Sequence, residues 1–153
     1  MWYPTEPTDS DPLTLRIARI HPDAVLPSYQ TLHSAGFDLA SVANVTVDPG
    51  GVALIPTGLV IQVPFRMFLG IFARSSTPLK RGLMVANGVG VIDPDYSGPE
   101  DEIKIAVMNF TSDPVTVRAG DRIAQGILLD APRVVWAEAE AAGPSRGGFG
   151  SSG

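Results

Sequence analysis

The stretch Val45-Thr-Val-Asp-Pro-Gly-Gly-Val-Ala-Leu-Ile-Pro-Thr-Gly-Leu-Val-Ile-Gln-Val63 contains three short apolar runs in close succession. Asp48-Pro-Gly-Gly51 and Pro56-Thr-Gly58 separate these runs, and both have the residues of tight turns. Short apolar runs that are bounded by turn residues predict β-strands. The stretch therefore predicts strands at Val45–Val47, Val52–Ile55 and Leu59–Val63 and indicates an all-β protein.

The same pattern continues on both sides of this stretch. The chain has 16 glycines and 14 prolines, a composition that disfavours long helices. Many short strands with such punctuation predict an antiparallel sandwich or a closed barrel. The further predicted strands are Leu13–Ile20, Phe68–Ala73, Ile103–Phe110, Val115–Val117, Ile123–Leu129 and Arg133–Trp136.

Signals for helices are weak, and the two ends of the chain lack a pattern that forms a core. Ser76–Arg81 predicts one helical turn with a proline near its start, and Ala137–Ala142 favours a short helix and a solvated linker equally. Residues 1–12 predict a disordered lead, and the glycine-rich residues 143–153 predict a flexible arm. We expect one barrel domain between them, over residues 13–142.

Composition excludes several classes of function. The 153 residues carry a formal net charge of −5, which argues against binding to nucleic acid, because such proteins need a basic face. The absence of cysteine excludes disulfides, thiolate metal sites and cysteine nucleophiles. Two histidines, His21 and His33, are too few for a multi-histidine zinc site.

The hydropathy pattern and the N-terminus predict a cytoplasmic protein. No apolar run approaches the roughly 18 residues that cross a membrane. Residues 1–6 lack the basic start and apolar run of a secretory signal. We therefore expect neither a membrane nor a nucleic acid among the partners.

Two short segments place polar side chains beside apolar strands. Asp38 is flanked by apolar residues, and a half-buried carboxylate needs a cation or hydrogen-bond donors; a turn-capping aspartate is the alternative. Arg74-Ser75-Ser76 follows a predicted strand and precedes the helical turn. Its guanidinium, hydroxyl and N–H groups predict a phosphate cradle, or equally an ordinary N-cap with a solvated arginine.

The stretch Asn87-Gly-Val-Gly-Val-Ile-Asp-Pro-Asp-Tyr96 has the composition of a ligand-binding hairpin. Gly88 and Gly90 permit close approach of a ligand to an apolar strand. Asp93-Pro-Asp turns the chain, and the Tyr96 ring can lie against a flat or apolar ligand face. A bulged hairpin with turn aspartates is the structural alternative.

Two later segments are also candidates. Arg122 and Gln125 are three residues apart and are predicted on opposite faces of a strand, so one can face a site while the other supports the scaffold. Phe149 lies among glycines near Arg146, which favours a mobile lid whose ring stacks on a base. A disordered terminus is the usual alternative for this composition.

Taken in order, these five segments resemble the five motifs of the trimeric dUTPase family over about residues 13–153, and residues 87–96 are especially close. The resemblance implies a jelly-roll-like β-barrel that forms a homotrimer with active sites at subunit interfaces. It implies Mg²⁺-dependent hydrolysis of dUTP to dUMP and pyrophosphate. That reaction limits uracil incorporation into DNA and supplies dUMP for dTMP synthesis.

The resemblance also implies roles for individual residues. Asp93 would activate the water that attacks the α-phosphorus, and Asp38 would support the water shell of Mg²⁺, which offsets charge on the triphosphate. Tyr96 would pack against the deoxyribose and exclude a ribose 2′-hydroxyl. The other implied substrate-binding residues are Arg74, Ser75, Ser76 and Gln125 for the phosphates, Asn87, Gly90 and Ile92 in the uracil-binding hairpin, and Arg146, Phe149, Gly150 and Ser151 in the arm.

The sequence departs from the family pattern in three places. Tyr96-Ser-Gly-Pro-Glu-Asp-Glu-Ile103 carries three extra residues, Pro99–Asp101 or an equivalent shift, so the family's glutamate corresponds to Glu100 or to Glu102. Pro144 stands where the family has the arginine that meets the γ-phosphate, and Arg146 lies nearer to Phe149. Ser76 stands where glycine is common.

Two other functions compete with hydrolysis of dUTP. The related dCTP deaminases share the barrel, but their catalytic glutamate would align with Ala106, which cannot shuttle protons. A non-catalytic trimeric barrel that binds nucleotide is the second rival, because a shared fold does not prove shared chemistry. The presence of Asp93, Tyr96 and Phe149 together argues against a pure scaffold.

Overall fold

The strands follow one another at short intervals along the computed structural model, which describes residues 13–150. The sequence-based expectations for residues 1–12 and for Ser151 lie outside these residues. The elements are, in order, β1 (Arg16–Arg19), β2 (Phe37–Ala40), β3 (Val45–Val47), β4 (Val52–Pro56), β5 (Leu59–Gln62), β6 (Met67–Ala73), α1 (Ser76–Arg81), β7 (Leu83–Val85), β8 (Gly90–Ile92), β9 (Lys104–Asn109), β10 (Val115–Val117) and β11 (Arg122–Asp130).

The strands form two larger sheets and two ribbons, all antiparallel. One sheet has the order β2-β11-β6-β8, and the other has the order β4-β9-β7. The ribbons are β1-β5 and β10-β3. This architecture is all-β, as the residue pattern predicts, and jelly-roll-like, as the family resemblance implies. No helix within residues 13–150 has the length and apolar character to cross a membrane.

The core lies between the sheets and is built from the inward faces of the strands. In β9, Ile105, Val107 and Asn109 are buried, while the alternate residues face the other way, as the two-residue period of a strand requires. Asn109 is the polar exception. Its side-chain amide donates to the carbonyls of Val47 and Asp113 at 2.9 and 2.8 Å, so its burial leaves its donors satisfied.

Most predicted elements are confirmed, with small shifts at their ends. The strands Val45–Val47 and Val115–Val117 and the helical turn Ser76–Arg81 have the predicted bounds. The first predicted strand is shorter than expected and covers only Arg16–Arg19. Residues 137–142 are exposed and form no helix in the described chain, so the solvated linker is the correct alternative there.

Two strands were not predicted, and one predicted strand is absent. β2 has three buried residues among four and so lacks the alternation that marks a half-buried strand, and β7 is only three residues long. The prediction of a strand at Arg133–Trp136 is wrong for the single described chain. Val135 and Trp136 there are 96% and 89% exposed, and a strand requires a neighbour to pair with.

The prediction of a strand–turn–strand hairpin at residues 87–96 is also wrong in its second half. β8 pairs with β6, and the chain then turns at Asp93 and makes no strand before β9, within the described residues. β9 belongs to the other sheet. Residues 97–103 form a turn and irregular backbone instead of a returning strand, and Pro99 in this turn has no N–H to donate.

Candidate active site

Two arginines converge on Asp38. The Nε of Arg74 lies 2.8 Å from Oδ1 of Asp38, and Nη1 of Arg122 lies 3.0 Å from its Oδ2. The Asp38 side chain is only 9% exposed, so it is the half-buried carboxylate that the sequence predicts, and its partners are cations. The alternative of a turn-capping aspartate is excluded because Asp38 lies within β2.

An irregularity in β11 brings Arg122 and Gln125 to the same cluster. The register between β11 and β2 shifts between Arg122 and Ala124, and Gln125 then lies opposite Asp38. Directly opposed residues in antiparallel strands point to the same face, so the prediction of opposite faces for the two side chains is wrong. A bulge interrupts the alternation on which that prediction relied. We name Asp38, Arg74, Arg122 and Gln125 the arginine cluster.

Hydrogen bonds attach the helix α1 to the same irregular segment at the start of β11. The buried hydroxyl of Thr77 donates to the carbonyl of Ile123 at 2.7 Å. Nη1 of Arg81, in the last turn, donates to Oδ2 of Asp121 at 2.7 Å. These two bonds hold both ends of α1 against the start of β11 and the residue before it, and they keep Ser75 and Ser76 next to the arginine cluster.

The ion pair of Asp121 predicts a dependence of stability on pH. The hydrogen bond from Arg81 lowers the pKa of the Asp121 carboxyl below its ordinary value of 3.8; burial opposes this effect, and the N–H of Arg118 adds to it. A carboxyl with a lowered pKa stabilises the folded state above its ordinary pKa and loses that contribution as the pH falls through the lowered value.

We therefore expect Asp121→Asn to lower the melting temperature by about 1–3 °C at pH 7 and by less at pH 2.5, which is below the ordinary pKa of 3.8. Scanning calorimetry at the two pH values measures the difference. An equal loss at both pH values would show that the carboxylate charge contributes nothing.

The hydroxyl of Ser75 is not used by the helix that it precedes. Ser75 is the N-cap residue of α1 but has helical backbone angles, and its side chain makes no capping hydrogen bond to the described helix. Ser75 is exposed, and Ser76 is half-buried as the first helical residue. Of the two alternatives for this segment, the ordinary side-chain cap is therefore excluded, and the hydroxyl is available to a ligand.

The backbone structure itself explains why the two positions before Asp93, Gly88 and Gly90, are glycines. Gly88, in the turn after Asn87, has φ +75° with nothing near the position of a Cβ. A Cβ on Gly90 would lie 2.9 Å from Cβ of Ile71 in β6, so close strand packing requires this glycine without any ligand. The side chain of Ile92 is buried in the core, so only its backbone can face a ligand.

Asp93 and Tyr96 form the turn at the end of β8. The N–H of Tyr96 donates to the carbonyl of Asp93 at 3.1 Å, and the carboxylate of Asp93 is exposed. Asp93, Asp95 and Arg66 line a cavity of about 460 Å³. Tyr96 is 39% exposed and is therefore accessible to a ligand.

Asp93 and the arginine cluster lie at opposite ends of the four-stranded sheet. Leu69 pairs with Ile92, which places Asp93 beside Phe68. Arg74 follows at the far end of β6, six residues beyond Phe68. At about 3.3 Å per residue the two sites are roughly 20 Å apart within one chain.

The candidate site residues of the C-terminal arm that the structure describes are exposed and do not pack against the barrel. Arg146 is exposed, and Phe149 is fully exposed with φ +51°. Gly150 has φ +87°. The structure thus brings together Asp38, Arg74, Ser75, Ser76 and Gln125, and it leaves Asp93 and Tyr96 at a second location.

The structure gives Arg122 and Glu102 contacts that the sequence does not reveal. Arg122 shares Asp38 with Arg74, and no sequence signal distinguishes it from a solvated strand arginine. Glu102 and Glu100 differ in their surroundings: Oε1 of Glu102 accepts the N–H of Gly58 at 2.8 Å, while Glu100 is exposed.

The described residues alone do not supply a complete set of metal ligands. Within residues 13–150, no group of three or more His, Cys, Asp or Glu side chains could hold a metal ion. Mg²⁺ in nucleotide enzymes commonly keeps several waters and binds one or two carboxylates together with substrate phosphates. Asp38 fits that requirement as a carboxylate beside the proposed phosphate site, since a carboxylate can accept more bonds than its two arginines use.

Comparison with known proteins identifies the family. A family model described as dUTPase matches residues 23–153. The deoxyuridine 5′-triphosphate nucleotidohydrolase of Solibacter usitatus is 41% identical over 145 residues, which cover 92% of this chain and 97% of the relative.

Two solved structures share the fold. The crystal structure of the dUTPase of Streptococcus mutans has a TM-score of 0.72 and 32% identity, and the match covers 78% of this chain and 98% of that chain. A dUTPase of an S. aureus phage, described as coordinating a structural Mg(II) ion, has a TM-score of 0.75 at 19% identity and covers 84% of this chain and 98% of its own.

Proposed function

This chain belongs to the dUTPase family and hydrolyses dUTP to dUMP and pyrophosphate, and we propose that each of its active sites combines Asp93 of one subunit with the arginine cluster of another. The main support for this proposal is the separation of roughly 20 Å between Asp93 and the arginine cluster within one chain. The rival functions are not favoured. Ala106, in place of a catalytic glutamate, lies in β9 opposite Leu54.

The geometry of the reaction requires Asp93 and the phosphate-binding residues to be much closer than the roughly 20 Å that separates them within one chain. A base must lie within about 3 Å of its water, the attacking water within about 3–3.5 Å of phosphorus, and a donor within about 3 Å of a phosphate oxygen. Asp93 and Ser75 therefore work on one α-phosphate only when they are about 10 Å apart or less. A second copy of the chain is the simplest source of the missing half.

The outer face of the three-stranded sheet offers a surface for such assembly. Val52, Leu54 and Met84 are 63%, 59% and 43% exposed, and the register places Val52 and Met84 on either side of Met108. A contiguous apolar surface of this kind marks a protein–protein interface. We therefore propose a homotrimer in which this face is covered.

Asp93 is the proposed general base. Its exposed carboxylate would orient the attacking water toward the α-phosphorus and accept a proton from that water. Tyr96 would lie against the deoxyribose, and the backbone of Asn87, Gly90 and Ile92 would bind uracil. A backbone site of this kind rejects cytosine, because exchanged donors and acceptors leave groups unpaired.

The arginine cluster and α1 are the proposed phosphate site. Arg74 and Gln125 would bind phosphate oxygens together with the hydroxyls of Ser75 and Ser76. Enzymes of this family generally use a divalent metal, and Mg²⁺ would be held by the triphosphate with Asp38 supporting its water shell. The ion would offset negative charge on the phosphate oxygens.

The arm is the proposed lid. Residues 143–147 are exposed, and the exposed Phe149 ring is available to stack on uracil. Ordering the arm costs roughly 1–2 kcal/mol of backbone entropy per residue, so the lid closes only over a ligand that offers several contacts. Arg146, Gly150 and Ser151 would meet the phosphates in that closed state.

Substrate specificity gives the direct test of this proposal. The purified protein with MgCl₂ is expected to release pyrophosphate from dUTP, with kcat/KM at least ~10²-fold lower for dCTP and with UTP and dTTP largely untouched. Pyrophosphate release with each nucleotide measures the values. Comparable turnover of dCTP or UTP would contradict the proposed recognition, and ammonia release from dCTP would indicate a deaminase.

A further inference from the structure

The three-residue extension after Tyr96 ends in a hydrogen bond back to that residue. The Tyr96 hydroxyl donates to the backbone carbonyl of Glu102 at 2.9 Å. The bond spans the whole segment Ser97–Asp101, so the extension closes into a loop with the tyrosine ring across its opening. The ring is thus held at its Cα and at its hydroxyl.

The residue that supplies the acceptor carbonyl is itself held by further hydrogen bonds. Oε1 of Glu102 accepts the N–H of Gly58 at 2.8 Å, and this side chain is only 18% exposed. The next residue, Ile103, is fully buried and donates its N–H to the carbonyl of Leu59 at 2.8 Å. The Thr57 hydroxyl donates to the Ile103 carbonyl at 2.6 Å. Residues 57–59 therefore form a clamp on the Glu102 side chain and on the backbone of the residue that follows it.

Gly58 suits this clamp because of its conformation and its surroundings. It has φ +66°, and a Cβ there would lie 2.7 Å from Cβ of His21 and 2.9 Å from Cβ of Ala24. Its carbonyl accepts the N–H of Ile20 at 2.9 Å. The N–H that binds Glu102 thus belongs to a backbone position fixed by the packing around it.

The extension is braced internally as well. The N–H of Gly98 donates to Oδ2 of Asp101 at 2.7 Å, and the N–H of Asp101 donates to the Gly98 carbonyl at 3.0 Å. Pro99 and Glu100 form the exposed tip between them. The extra residues therefore make a closed turn that sets the distance between Tyr96 and Glu102.

We propose that Glu102 is a positioning residue that holds the Tyr96 ring rigid and thereby sharpens discrimination between deoxyribose and ribose. The inference rests on the proposed contact of Tyr96 with the sugar. A ring fixed only at Cα can rotate aside for a 2′-hydroxyl. A ring that is also fixed at its hydroxyl cannot do so without breaking a hydrogen bond.

The test measures the ratio of kcat/KM for dUTP to kcat/KM for UTP in four variants. Tyr96→Phe removes only the hydroxyl and is expected to lower the ratio about fivefold, the net value of one hydrogen bond. Glu102→Ala removes the anchor on Gly58 and is expected to lower the ratio by a similar factor. Glu102→Gln keeps an acceptor oxygen and is expected to retain the wild-type ratio. Glu100→Ala is the matched control at the exposed tip and is expected to leave the ratio unchanged.

A double variant separates positioning from general destabilisation. If Glu102 acts through the Tyr96 hydroxyl, Tyr96→Phe/Glu102→Ala loses no more discrimination than either single variant. Additive losses, or an unchanged ratio in Tyr96→Phe, would overturn the inference. A wild-type protein that does not prefer dUTP to UTP would instead overturn the proposed sugar contact, before any variant is compared.

Discussion

Asp93→Asn is expected to lose most of the turnover of dUTP while it keeps nucleotide binding. The amide cannot accept the proton of the attacking water, and general-base assistance is typically worth about 10²–10⁴-fold in rate. The turn itself survives the change, because it uses the backbone carbonyl of Asp93 and not the carboxylate. Pyrophosphate release measures kcat, and calorimetric titration with a non-hydrolysable dUTP analogue measures Kd.

The neighbouring aspartate provides the matched control. Asp95 is exposed, lies in the same turn and lines the same cavity, so Asp95→Asn removes an equal charge at nearly the same place. Its kcat is expected to stay within about threefold of the wild type, since a solvent-exposed charge is strongly screened. Near-normal activity of Asp93→Asn would show that another residue is the general base, and Asp38 would be the next candidate.

The fold is largely readable from the sequence because turn residues separate its strands. Asp48-Pro-Gly-Gly51 and Pro56-Thr-Gly58 mark the ends of β3, β4 and β5 within one or two residues. The strand β2 escapes prediction because its burial on both faces removes the alternating pattern. Val135 and Trp136 look like strand residues but lack a partner within the described chain, which no local pattern can reveal.

The site is predictable residue by residue, but its arrangement is not. Asp38 and Arg74 are recognisable as a half-buried carboxylate and a phosphate-binding guanidinium. Their pairing with Arg122 depends on the register shift in β11, which sequence spacing does not indicate. The contact that distinguishes Glu102 from Glu100 is likewise invisible to sequence spacing, because its partner Gly58 lies far away along the chain.

A mixture of two inactive variants is expected to regain activity if each site draws on two chains. Asp93→Asn lacks the base. Arg74→Gln lacks a charged phosphate donor, and loss of one such donor costs about 10²–10³-fold in kcat. Arg74→Gln should still fold, because Asp38 keeps its bond to Arg122 at 3.0 Å. Each variant alone forms trimers in which every site has one defective half.

Random exchange between equal amounts of the two variants sets the size of the recovery. About three quarters of the trimers then contain both chains, and in each of these about one site in three joins an intact Asp93 to an intact Arg74 from a neighbour. The expected activity is therefore about one quarter of the wild type. Sites built within one chain would recover nothing, because each chain carries one defect.

The experiment requires proof that the subunits exchange. An affinity tag on the Asp93→Asn chain and capture of the untagged Arg74→Gln chain supply that proof, and pyrophosphate release is then measured on the captured trimers. Captured mixed trimers that remain as inactive as either parent would contradict a shared site. Asp93 and Arg74 would then have to meet within one subunit, which the separation of roughly 20 Å along β6 does not allow without rearrangement of the sheet. The complementation result therefore decides between assembly of the site across subunits and a conformational change within one.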